Sequence, residues 1–140
     1  MIIEDYKINI EYFKENQMLD NRAIGCGIYI IELLKDNSKE AIPLYIGQSL
    51  YMVKRGGEHL YEFFKEPGYL GLSEDNMIDS HLKIRFRILE KCVPDDRSKR
   101  ETAQIIKIHP LIQKLTNDNM LDIDNKKRKV KEALEKLQTS

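Results

Sequence analysis

Arg55 and His59 stand four residues apart, so on a helix they share one face and reach the same spot. A guanidinium grips a phosphate through two parallel N–H bonds, and an imidazole moves a proton near neutral pH. Upstream, Tyr29 and Tyr45 sit in two segments rich in β-branched and aromatic residues. A phenol with a pKa of about 10 becomes a useful base only where cations or a histidine stand beside it. Glu101 is a carboxylate with two readings: a ligand for a hard cation, or the last residue of a Ser98-Lys99-Arg100-Glu101 capping box. Taken singly, each has a structural account, as sheet packing for the tyrosines and a solvated helix face for Arg55 and His59. Their joint order and spacing favours chemistry.

Those side chains need strands and helices to hold them. Gly27 to Leu34 and Ala41 to Gly47 read as two strands of a hairpin, joined by the polar run from Lys35 to Glu40. Ser49 is placed to cap a helix running towards Lys65, with Leu60, Phe63 and Phe64 at helical spacing and Gly56 and Gly57 weakening its first turns. Pro67, Gly68, Gly71 and Ser73 mark a loop. From His81 to Leu89, apolar Leu82, Ile84, Phe86 and Ile88 alternate with Lys83, Arg85 and Arg87, the pattern of a half-buried strand. A further helix spans about Asp96 to Ile108 and is ended by Pro110. The last 16 residues form another, with Val130, Ala133, Leu134 and Leu137 on one side. The first 24 residues read as a strand or turn followed by a short helix.

At 140 residues the chain holds one domain, and 41% apolar composition suffices for its core. Formal net charge is zero, yet residues 1–80 carry 8 positive and 14 negative groups while residues 81–140 carry 15 and 9. The molecule is dipolar, its excess cations concentrated between Lys126 and Lys131, in either a solvated tail or a phosphate-binding helix. Two cysteines, no apolar leader and a longest apolar run from Gly25 to Leu34 argue against a secreted disulfide scaffold or a membrane span. The expectation is a soluble, cytoplasmic protein.

Gly27-Ile28-Tyr29 and Tyr45-Ile46-Gly47, with Arg55 ten residues after Tyr45, His59 four further and Glu101 opening a later helix, resemble the GIY-YIG nuclease superfamily. The likeness covers residues 25–113, flanked by an N-terminal extension (1–24) and a basic C-terminal helix (114–140). It implies an α+β fold, a three-stranded antiparallel sheet flanked by helices. It implies a metal-dependent endonuclease hydrolysing DNA phosphodiester bonds. Tyr29 would act as general base or orient the water, with Tyr45 beside it; Arg55 would clamp the scissile phosphate. His59 would take the proton, and Glu101 would hold one Mg²⁺ or Mn²⁺. Two features depart from the family: a longer interval between the tyrosines, and Gln113 where the family usually has Asn, its amide still able to bond across the site.

Lys54 is a candidate phosphate contact, and Lys83, Arg85 and Arg87 form a basic stripe able to track a DNA backbone. His59, His81 and His109 are too far apart for a zinc site, which makes His81 and His109 edge or cap residues. The rival to an enzyme is a domain of the same fold that binds nucleic acid or protein without turnover. Double-strand cleavage by one site per chain would need a homodimer or successive nicks.

Overall fold

A computed structural model of the chain describes residues 25–114, 117 and 119–139. The reading of a strand or turn and a short helix before residue 25 lies outside them. The fold is α+β. Strands β1 (Gly27–Lys35), β2 (Ile42–Ser49) and β3 (Leu82–Lys91) form an antiparallel sheet in the order β2-β1-β3. Helix α1 (Met52–Lys65) follows β2, and the short α2 (Glu74–Ile78) precedes β3. Helices α3 (Arg97–Ile108) and α4 (Ile123–Thr139) complete the order. A 3₁₀ turn at Pro67–Leu70 links α1 to α2.

Central β1 reads GIYIIELLK because both of its faces are covered. Tyr29, Ile31 and Leu33 point to one side, where they pack with Leu44, Phe86, Met52 and Phe63. Ile28 and Ile30 point to the other, against Ile46 and Ile105 of α3. Sheet register sets Tyr29 opposite Gly47 of β2 and Ile88 of β3, with an irregularity between Ile28 and Tyr29 on the β3 side. Such a bulge re-aims the side chain beside it.

One expected helix start moves, and one expected capping box does not form. Ser49 ends β2, and its hydroxyl accepts from the Tyr51 N–H at 3.0 Å, so α1 begins after a tight turn whose N-cap position is Tyr51. Ser98 lies inside α3, whose N-cap position is Asp96. The Ser98–Glu101 capping box is therefore not formed, and Glu101 is left without that structural role. His109 is a cap of another kind: it ends α3 in the left-handed region at φ 58°.

The C-terminal segment is a layer of the domain, not a solvated tail. Val130 and Leu134 of α4 are buried in the same core as Tyr29. The helix comes down on the Pro67–Leu70 turn, where a Cβ on Gly68 would meet Ile123 and Lys127, and one on Gly71 would meet Val130 and Lys126. Gly71 also takes φ 83°, a conformation that favours glycine. No helix among the described residues is long and apolar enough to cross a membrane.

The adjacent glycines of α1 are unlike. A Cβ on Gly56 would stand 3.1 Å from the Phe86 ring, whereas one on Gly57 would meet nothing within 4 Å. Gly57→Ala is expected to stabilise the fold by about 0.5–1 kcal/mol through lower unfolded-state entropy and better helix propensity. Gly56→Ala should gain less or destabilise, and denaturant titration of the pair measures the difference.

Candidate active site

Adjacent strands and the first buried turns of α1 bring Tyr29, Tyr45, Arg55 and His59 together. Tyr29 stacks on Phe86 at 4.8 Å between centroids and turns its hydroxyl towards α1. There its oxygen lies 2.6 Å from Nε2 of His59. The imidazole is wholly buried, and its edge meets the Tyr45 ring at 5.1 Å between centroids. The second ring nitrogen, Nδ1, is 2.7 Å from the hydroxyl of Tyr69, on the 3₁₀ turn.

Tyr69 is a member that the sequence did not mark, because the proline- and glycine-bearing segment around it reads as loop. Glu66 accepts from the Gly68 N–H at 2.8 Å and, with Pro67, winds the turn that aims Tyr69 at His59. Behind it, Lys126 of α4 donates to the Tyr69 carbonyl at 2.9 Å, and its ammonium lies 5.0 Å from the centre of the Tyr69 ring. Lys126 is accordingly buried, a correction to its reading as part of an exposed cationic run.

Arg55 is the half-exposed member. Its positive charge acts on Tyr29 and favours the phenolate there, while Nη1 bonds Glu58 at 3.1 Å. Burial outweighs it: the Tyr29 phenol is pushed well above its usual range, with Tyr45 adding to the effect. His59 is pushed down to about 3, first by burial and then by the charge of Arg55. Tyr69 is raised by burial and by Glu62 and Glu58, against the pull of Arg55. At neutral pH the line Tyr29, His59, Tyr69 is uncharged, and Arg55 is the cation beside it.

Glu101 is buried in the first turns of α3, one turn before Ile105, which packs on Ile28, Ile30 and Ile46. Its Oε2 is enclosed by protein and accepts no hydrogen bond there, although the residue has other contacts. A buried carboxylate is costly unless protons or a cation satisfy it. Among the described residues no cluster of three or more His, Cys, Asp or Glu side chains is arranged to hold an ion. One carboxylate alone makes no metal site, and a magnesium ion at Glu101 would need water and substrate phosphate to complete its shell.

Other expected contacts take different roles. Gln113 is buried: its amide oxygen accepts from the Ile46 N–H, and its amide nitrogen donates to the Ile46 carbonyl at 3.0 Å and the Asn117 carbonyl at 3.2 Å. It clamps β2 next to Tyr45, with both of its amide N–H groups committed to main chain. Arg85 and Arg87 are not an open cationic stripe either. Both donate to the buried carboxylate of Glu32, at 2.9 and 2.7 Å, and Lys83 stands 3.9 Å from Asp36. Lys54 is exposed on α1. His81 lies at the sheet edge, 3.4 Å from Asp36.

No protein-family model, curated protein or solved structure matches this chain.

His59 carries a pH signature. Its ordinary pKa of about 6.5 holds in the unfolded chain, against about 3 when folded, so between those values only the unfolded state binds the proton. The stability contribution is complete above about pH 6.5 and is lost as pH falls towards 3. Melting temperature should therefore fall on acidification, and His59→Gln should flatten that fall. An equal pH slope in the parent and His59→Gln would mean that His59 is not held neutral.

Proposed function

We propose that this domain is a divalent-metal-dependent endonuclease that hydrolyses DNA phosphodiester bonds. The observation that carries the reading is the buried line from Tyr29 through His59, with the positive charge of Arg55 beside it. Packing alone explains a tyrosine stacked on Phe86. It does not explain a buried imidazole bonded through both nitrogens beside an arginine, an arrangement that costs desolvation and returns its value when protons move.

In this reading Arg55 exchanges Glu58 for the scissile phosphate. The exchange is cheap, because an exposed arginine–glutamate pair contributes less than about 1 kcal/mol, whereas phosphate offers bidentate geometry and a larger charge. The phosphate so held lies at the Tyr29 oxygen, which orients the attacking water and passes its own proton to His59 Nε2. Tyr45 walls the imidazole from solvent. Glu101 would hold the metal, which when bound neutralises charge on the phosphoryl oxygens and the leaving 3′ oxygen. Outside the site, Lys127 and Lys131, exposed one turn apart on α4, supply cations for the DNA backbone. Cutting both strands would require a homodimer or successive nicks.

The test is supercoiled plasmid with Mg²⁺ or Mn²⁺. Nicking is expected, and chelation should abolish it. Tyr29→Phe removes one oxygen and should lower single-turnover cleavage by about 10²- to 10⁴-fold with little loss of DNA affinity. Glu101→Gln should abolish the metal dependence along with turnover. Salt-sensitive DNA binding without cleavage by the parent would instead favour a binding domain of the same fold. Parental cleavage by a normally melting Tyr29→Phe would reduce that tyrosine to a packing residue.

A further inference from the structure

Resting on the nuclease reading, we infer that Tyr69 is the outlet of a proton relay that begins at Tyr29, passes through the neutral ring of His59 and ends in solvent. The relay needs one polarity in this line: the Tyr29 hydroxyl donates, and the positive charge of Arg55 beside it favours negative charge building on its oxygen. The Tyr29 proton is then directed at His59 Nε2, 2.6 Å away. A neutral imidazole with an accepting Nε2 carries its proton on Nδ1, which donates to the Tyr69 oxygen at 2.7 Å. The Tyr69 hydroxyl proton remains for a partner beyond the line, and Tyr69 is only partly buried.

The step balances. As water attacks phosphorus it gives a proton to the Tyr29 oxygen, whose own proton moves to Nε2. The Nδ1 proton moves to the Tyr69 oxygen, and the Tyr69 proton leaves to solvent. Each tyrosine ends with one proton, and the histidine ends as its other neutral tautomer. With product gone, the same shift runs backwards between solvent at Tyr69 and water at Tyr29. No imidazolium or phenolate has to persist.

That matters because both charged forms are penalised here. Burial holds His59 neutral down to about 3 and lifts Tyr29, so a histidine that simply kept the proton would be a poor acceptor at neutral pH. Passing it on removes the penalty. The charged groups around Tyr69 are Arg55, Glu58 and Glu62 from α1 and Lys126 from α4. Lys126, held under the turn by the carbonyl of Tyr69 and over the face of its ring, keeps the hydroxyl at Nδ1. Tyr69 and Lys126 are positioning residues, acting through His59.

Tyr69→Phe is the test, since it keeps the ring and removes the outlet. Single-turnover cleavage should fall by about 10²-fold with DNA affinity nearly unchanged and the melting temperature lowered by the loss of the Nδ1 partner. The rate in H₂O–D₂O mixtures should change from a bowed dependence on deuterium fraction, the mark of several protons in flight, to a linear one. Independently of activity, ¹⁵N NMR of His59 should show the Nδ1-protonated tautomer in the parent and a switch to Nε2 in Tyr69→Phe. A parent ring protonated on Nε2 overturns the relay whether or not DNA is cut. Parental cleavage by Tyr69→Phe overturns it too, while leaving the nuclease reading intact.

Discussion

One close approach orders the rest of the molecule: the phenol of Tyr29 lies across the neighbouring strand where Gly47 stands opposite. A Cβ on Gly47 would run into the Tyr29 oxygen and ring and into the ring of Tyr45. The strand can carry no side chain there while the tyrosine keeps its pose. The two glycine-tyrosine tripeptides are thus halves of one steric fit. Gly27 extends the principle, since a Cβ there would press on the Glu90 carbonyl and the end of Met52. Met52 is the first residue of α1, so the helix that delivers Arg55 and His59 is seated by a second missing side chain.

Once the phenol is fixed, polar groups must follow it into the core. A buried hydroxyl demands a partner, and that partner, an imidazole, demands another at its far nitrogen. The line reaches Tyr69 and is braced there by Lys126, a lysine whose desolvation is offset by a carbonyl and an aromatic face. Energetically these residues form one unit: removing one member strands the next. Effects of paired substitutions along the line should be far from additive. The final helix, seemingly remote, supports the site through this brace.

Local pattern was enough for three strands and the long helices, because strand alternation and helical spacing are properties of short windows, whereas the grouping of Tyr29, Tyr45, Arg55 and His59 rested on their joint order and spacing. Contacts made across the fold were not so legible. Arg85 and Arg87 read as a free stripe, since nothing near β3 in sequence reveals that Glu32 faces both from β1. Tyr69 hid in a segment whose prolines and glycines signal a turn but not its aim. The capping serines at 49 and 98 failed for a different reason. Strand β2 continued through Ser49, and α3 had already started at Arg97, so neighbouring elements claimed the backbone first. Gln113 kept the chemistry of an amide while directing it to main chain.

That amide has a consequence for association. Strand β2 lies at the edge of the sheet, and an edge strand is a template for pairing with another chain. Here the returning chain covers it: Leu111 and Ile112 donate to the Pro43 and Leu44 carbonyls, each at 3.0 Å, and the Gln113 side chain mimics the next rung by taking both polar groups of Ile46. One extra methylene relative to asparagine lets a side chain finish what main chain began. The strand carrying Tyr45 is closed to β-augmentation along this stretch, so a second copy or an aggregating neighbour would have to displace the whole strip first. Of the two edges of the sheet, the one carrying Tyr45 is sealed by the chain itself.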